Sequence, residues 1–375
     1  MLSDCKTVIH HIDMRYNDIL YTGGEILHLS SYPIPNDHGK LVIDEDKKTF
    51  LQHRLTQLTG STSKNGFPIA QPESFKRSVI PTIMNGKFCA SLKTDGVRAM
   101  LLLTKYNNEF VAVLIDRKLT IREVEVWAPE KYFNDTLFDG EIVTERSDNV
   151  PRRDVFLAFD MYVDKGVSLL LEDYTTRITA MNNSILDDDV DAMDVEGAIQ
   201  EMNKVYVPPA IGISIRAKMI KKSEDTILLW NTRMQVPHLN DGIIFTPDTT
   251  VVTSKVYKWK PLNTIDVFVY KGDRTPYIMH YRALTPSVNI TLNNKVFELY
   301  EVRNNVILDT YFSRFPAENS VIVECGVDID THTQRVSFAP IKTREDKTAP
   351  NALYVVKETI NNVLENVEIR EFKKK

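Results

Sequence analysis

Five short apolar runs, at 88–92, 99–103, 110–115, 137–143 and 156–162, are set apart by Asn, Asp and Gly, and they constrain this chain more than any other feature. Each is too short for a stable helix and rich in the side chains that fit a pleated surface, so the spacing predicts a mostly antiparallel sheet. A helix-like segment over 169–181 follows. Further strands are expected at 211–220 and 242–246. From residue 264 onward, apolar runs at 265–270, 296–302 and 321–327 predict a small barrel, closed by an amphipathic helix at 352–367 and a lysine tail.

The first 60 residues, with Gly23-Gly24 and a turn at 33–37, read as an appendage to this core. At 375 residues the chain has room for two or three domains. Its net charge of −5 excludes a global positive field for nucleic acid, so an anion site has to be local. Cys5, Cys89 and Cys325 are too far apart in sequence for a zinc ligand set, and a reducing compartment is expected. No run approaches the roughly 20 apolar residues of a membrane span, and residues 1–13 carry early charge, so an intracellular protein is expected. The segment 187–196, with six acidic residues in ten, repels phosphate and reads as a solvated surface.

The common phosphate-loop, dinucleotide, metalloprotease and hydrolase motifs are missing. What stands out is Lys93-Thr94-Asp95-Gly96-Val97-Arg98, a lysine ending an apolar strand, followed by a carboxylate, a glycine turn and an arginine. Alone it reads equally as a charged hairpin. It has ordered company: Phe138-Asp139-Gly140-Glu141, Phe156 to Asp160, Asp241-Gly242-Ile243-Ile244-Phe245, Lys258-Trp259-Lys260-Pro261, and Lys342 to Lys347. A lysine attacks only as a neutral amine, which nearby cations such as Arg98, Lys258 and Lys260 favour, so Lys93 is the candidate nucleophile. Lys258 and Lys260 alternate along a strand and share a face.

This series resembles the six collinear motifs of the covalent nucleotidyltransferases, the superfamily of DNA ligases, RNA ligases and mRNA capping guanylyltransferases. The resemblance covers about residues 65 to 351. It implies an α+β fold: a nucleotidyltransferase domain of antiparallel sheets (ATP-grasp-like) over 61–262, then a C-terminal OB-fold β-barrel domain with its helix over 263–375. The sequences Asp241 to Pro247 and Tyr257 to Pro261, and the stretch 67–74, are closer to capping enzymes than to ligases. Asp116-Arg117 and Glu324 fit the same pattern.

The resemblance implies that Lys93 attacks GTP to give a lysyl-GMP intermediate, which then passes GMP to the 5′-diphosphate end of an RNA to make the GpppN cap. It assigns Thr94, Arg98 and Glu141 to the nucleotide, with Arg98 and Glu141 on the ribose, and Phe156 and Lys218 to the base. Lys258 and Lys260 fall to the α-phosphate, Arg344 and Lys347 to the β- and γ-phosphates, and Asp241 to a divalent metal, Mg²⁺ or Mn²⁺. A strand Phe is more often core, and Lys218 also reads as a surface lysine. The last motif departs from the family at Lys342, where arginine is usual and its bidentate fork is lost. Implied partners are GTP and 5′-diphosphate RNA; since motifs for the RNA triphosphatase and cap methyltransferase steps are missing, those steps are expected on other subunits or on other parts of a larger polypeptide. No membrane is implied. Residence in the nucleus or, for a virus, the host cytoplasm is left open. An ATP-dependent polynucleotide ligase and a catalytically silent RNA-end-binding module are the alternative readings.

Overall fold

A computed structural model describes residues 39–60, 71–126, 128–147, 150–185, 213–251, 255–286, 288–303 and 305–373. Cys5, the Gly23-Gly24 pair, the turn at 33–37, residues 67–70, the acidic segment 187–196 and the last two lysines lie outside them. Among the described residues no helix is long and apolar enough to cross a membrane. The architecture is α+β with mostly antiparallel sheets, and it divides into two units. The first holds the described residues up to Asn263 together with those from Tyr354 onward, and the second is Thr264–Leu353.

In chain order the first unit begins with β1 (Lys40–Leu41), α1 (Glu45–Thr59), β2 (Glu73–Ser74), α2 (Ile80–Asn85), β3 (Phe88–Thr94), β4 (Val97–Tyr106), β5 (Glu109–Asp116) and β6 (Ile121–Glu123). It continues with β7 (Thr136–Ser147), β8 (Val150–Asp164), β9 (Val167–Ser168), α3 (Tyr174–Ile185), β10 (Ser214–Ala217), β11 (Ile220–Lys222), α4 (Thr226–Asn231), β12 (Asn240–Pro247) and β13 (Tyr257–Trp259). These strands make an eight-stranded sheet ordered β1-β6-β5-β4-β7-β8-β10, with β9 on β8, and a five-stranded sheet ordered β11-β3-β12-β13-β2.

Residues 99–103 are buried without a break because the larger sheet is covered on both faces, while strand alternation still sorts them. Leu101 and Leu103 face a cluster with Met181 of α3, whereas Met100 and Leu102 face one with Leu51 and Leu55 of α1. The i, i+4 spacing puts those two leucines on one helix stripe. Asp44 caps α1 by accepting from the Lys47 amide at 2.9 Å, and Gly60 ends it at φ 64°, where glycine carries no Cβ penalty. Residues 40–59 are thus part of this unit's core and not an appendage. The predicted 169–181 helix starts later, at Tyr174, and the predicted 211–220 strand is broken into β10 and β11 around Lys218.

The second unit contains β14 (Thr264–Tyr270), β15 (Tyr277–His280), β16 (Ala283–Pro286), β17 (Asn289–Leu292), β18 (Lys295–Val302), α5 (Val306–Arg314), β19 (Ser320–Asp330) and β20 (Arg335–Thr343). They form one seven-stranded sheet, ordered β16-β15-β14-β19-β20-β18-β17, in which only the β18–β20 pair is parallel.

The chain then returns. From Tyr354, α6 (Leu353–Glu365) and the segment after it belong to the first unit. Trp259 Nε1 donates to the Val367 carbonyl at 2.9 Å, and the buried Phe372 ring stacks on Phe245 at 5.0 Å. Sequence order placed this segment with the barrel; burying Phe372 against Phe75, Phe245 and Trp259, worth about 2–3 kcal/mol, fastens it to the smaller sheet.

Candidate active site

Lys93 sits near the end of β3, the strand between β11 and β12, with Gly242 of β12 directly across. A Cβ on Gly242 would lie 2.1 Å from the Trp259 carbonyl oxygen, so only glycine fits this close approach. Pairing passes from Asn240↔Thr94 to Gly242↔Lys93, which leaves Asp241 as the extra residue of a β-bulge. Bulges re-aim side chains, and here the Asp241 carboxylate lies between two amines. Its Oδ1 accepts from Lys93 Nζ at 2.6 Å and its Oδ2 pairs with Lys260 Nζ at 2.5 Å. Burial pushes this carboxyl up, but Lys260 and Lys93 outweigh it and hold it below the ordinary carboxylate range.

Lys258 and Lys260 flank Trp259, which is buried beneath the sheet, so both amines emerge on its other side as strand alternation requires. Burial, with Lys260 and Lys93 nearby, depresses the Lys258 amine below its usual range.

Beyond Lys93, the Thr94 hydroxyl is buried and donates to Glu141 Oε2. Lys218 Nζ in turn donates to Thr94 Oγ1 at 2.8 Å and lies 3.5 Å from Glu141 Oε2. The break between β10 and β11 turns Lys218 inward: its side chain is only 6% exposed, and burial depresses its amine despite Glu141. It is no surface lysine. Arg98, across from Glu141 on β4, grips Asp139 through Nε (3.1 Å) and Nη2 (2.6 Å). Tyr162 donates its hydroxyl to Asp139 Oδ2 at 2.5 Å.

Phe156 is displaced from the role that the motif register gave it. It has no exposed surface and belongs to the core cluster of the larger sheet, where its ring fills the space over Gly140. The ring at the site is Phe159: the Arg98 guanidinium lies 5.6 Å from its centroid and Lys218 Nζ 5.4 Å. Pairing between β7 and β8 passes from Asp139↔Asp160 to Gly140↔Ala158, so Phe159 too is a bulge residue, turned out of the alternation that buries Phe156.

The structure thus brings Lys93, Thr94, Arg98, Glu141, Lys218, Asp241, Lys258 and Lys260 into the first unit, while Arg344 and Lys347 belong to the second. There Arg344 Nη1 meets Asp266 at 3.1 Å and Glu324 at 3.2 Å, its Nε and Nη2 fork onto Asp346, and Lys347 reaches Asp266 at 2.5 Å. These carboxylates hold the Arg344 guanidinium charged, Asp346 most strongly. Lys342 pairs with Glu324 at 3.4 Å.

Sequence reading missed Phe159, Asp139, Tyr162 and His238. The His238 ring has a buried Nδ1 with no hydrogen-bond partner, and burial together with Lys218 and Arg216 lowers its pKa to about 4. Its one signal was position, three residues before Asp241.

A model of the mRNA capping enzyme catalytic domain matches residues 37–262. The mRNA-capping enzyme subunit alpha of Schizosaccharomyces pombe is 28% identical over 241 residues, 59% of this chain and 57% of that protein. The mRNA-capping enzyme of Caenorhabditis elegans is 25% identical over 352 residues, 88% of this chain and 51% of that protein. An African swine fever virus mRNA-capping enzyme is 27% identical over 194 residues, 50% of this chain and 19% of that protein. The chain therefore spans little more than half the length of the first two relatives. The matched stretch nevertheless takes in the strand bearing Lys93, both bulges and the Lys258–Lys260 strand, and on that ground the chain belongs to the mRNA capping enzyme catalytic-domain family.

Proposed function

We propose that this chain is a GTP:RNA guanylyltransferase. The observation that carries the reading is the Asp241 carboxylate shared between Lys93 and Lys260, with Lys258 beside them. This gives an amine nucleophile in a site rich in cations suited to a phosphate. In the first step Lys93 Nζ attacks the α-phosphorus of GTP; an N–P bond forms, the bond to the bridging oxygen breaks, and pyrophosphate leaves. In the second, a terminal phosphate oxygen of 5′-diphosphate RNA attacks the same phosphorus, giving GpppN and returning the amine.

Lys258 and Lys260 balance charge on the α-phosphate oxygens. Arg98 and Glu141 hold the ribose, Lys218 and Thr94 bound the base pocket, and Phe159 is the stacking ring in place of Phe156. Arg344 and Lys347 serve the β- and γ-phosphates. The second unit's sheet is read as an OB-type barrel. Among the described residues no three His, Cys, Asp or Glu side chains converge. One hard carboxylate, Asp241, fits a Mg²⁺ or Mn²⁺ ion that takes its other oxygens from phosphate and water. Such an ion would supply Lewis-acid stabilisation of the phosphate charge. RNA triphosphatase and cap methyltransferase chains are proposed as partners, in keeping with the "subunit alpha" name of the Schizosaccharomyces pombe relative, and residence in the nucleus or a host cytoplasm is proposed with them.

The test is to incubate the protein with α-³²P-labelled GTP or ATP and a divalent metal, then denature it. Acid-labile label from GTP alone, reversed by pyrophosphate, is the expected result. Label from ATP alone would make the chain a ligase-type adenylyltransferase.

A further inference from the structure

His238 combines three features that nothing in the chemistry above uses. First, its Nδ1 is fully buried and unpartnered. Leaving such an atom unpaired costs about 1–3 kcal/mol, and a hydrogen-bond donor carried by a ligand would remove that cost. Second, its place is fixed by the strand that carries the nucleophile. The next residue, Leu239, accepts from the Asp95 amide at 2.9 Å, and Asn240 pairs with Thr94. His238 therefore adjoins the end of β3 where Thr94 and Lys218 meet. Third, Lys218 and Arg216 act on its ring, which burial and these two cations keep neutral near pH 7. Arg216 is committed to Glu145 at 2.8 Å, and Lys218 to Thr94 and Glu141.

A neutral imidazole has one donor and one acceptor nitrogen, whereas an ammonium only donates. With the proton on Nε2, Lys218 is a donor and His238 Nδ1 an acceptor. Guanine's edge is the match: O6 accepts, while N1–H and the 2-amino group donate. Adenine presents an amino donor at position 6 and an acceptor at N1, the reverse pattern. The Phe159 ring, 5.4 Å from Lys218 Nζ, supplies the plane on which a base would lie beside Lys218.

We infer that His238 is a specificity-determining residue, its Nδ1 accepting a hydrogen bond from a Watson–Crick-edge donor of guanine. The inference rests on the guanylyltransferase reading and adds to it which group, besides Lys218, reads the base.

The experiment measures KM and kcat of covalent labelling with GTP, with ITP, which lacks the 2-amino group, and with 1-methyl-GTP, which lacks N1–H. The wild type, His238→Ala and His238→Gln are compared. The wild type is expected to penalise at least one analogue by about tenfold in KM, the worth of one good hydrogen bond. His238→Ala raises KM for GTP by a similar factor with kcat nearly unchanged, and it erases that penalty. His238→Gln, whose amide carbonyl accepts, keeps part of it and carries the test if the alanine variant does not fold. Analogue penalties that persist in full in both variants, or a wild type that penalises neither analogue, would overturn the inference while leaving guanylylation intact. A wild type labelled by ATP and not by GTP would remove the underlying reading and this inference with it.

Discussion

Asp241 Oδ1 lies 2.6 Å from Lys93 Nζ, so the amine proposed to attack is held in an ion pair. The same carboxylate holds Lys260, so one anionic group positions both amines. Replacing it with a neutral amide keeps the shape and removes that control. Asp241→Asn should slow covalent labelling by about 10²–10³-fold, the usual cost of losing one preorganised electrostatic group. Single-turnover labelling rates, with a thermal melt to show an intact fold, check this.

The two phenylalanines of β8 should separate cleanly. Phe156→Ala opens a cavity in the core over Gly140 and should cost about 3–5 kcal/mol of stability by denaturant titration. Phe159→Ala should leave stability nearly unchanged and weaken GTP binding by about 1–3 kcal/mol, as loss of a stacking platform does. An unchanged KM for GTP in Phe159→Ala would take that ring out of the site.

Tyr162 touches no proposed substrate position, yet its hydroxyl completes the bonding of Asp139, which aims Arg98. Tyr162→Phe leaves Asp139, fully buried, short of one donor, a loss of about 1–2 kcal/mol. KM for GTP should rise several-fold with kcat little changed, and a 2′,3′-dideoxy analogue should feel the change less than GTP. Equal effects on both nucleotides would detach Tyr162 from the ribose.

His238 also makes a pH signature. Its folded pKa of about 4 lies below the unfolded value near 6.5, so between them the unfolded chain binds the proton that the folded chain refuses. Stability therefore falls as pH drops through this window. Between pH 7 and pH 5 the loss attributable to His238 should be roughly 1–2 kcal/mol. Denaturant melts at the two pH values should show it in the wild type and lack it in His238→Gln.

How much of this was legible in the sequence differs residue by residue. That Lys258 and Lys260 share a face was legible because period-two alternation around a buried Trp259 is a local rule. The strands of the larger sheet were found for the same reason. Phe159 and Asp241 owe their aim to bulges, and a bulge is a property of two paired strands that neither strand announces alone. The motif register favoured Phe156, which the fold buries. The docking of Phe372 on Phe245 joins residues more than a hundred positions apart, and no window on the sequence spans that distance.

That late return of the chain also decides how the second unit is attached. Because Tyr354 onward is anchored in the first unit, residues 264–353 form an inserted loop of structure with two covalent attachments instead of one. Cutting the chain between residues 353 and 354 would leave residues 264–353 joined to the first unit through the 263–264 peptide bond and no longer through the returning segment.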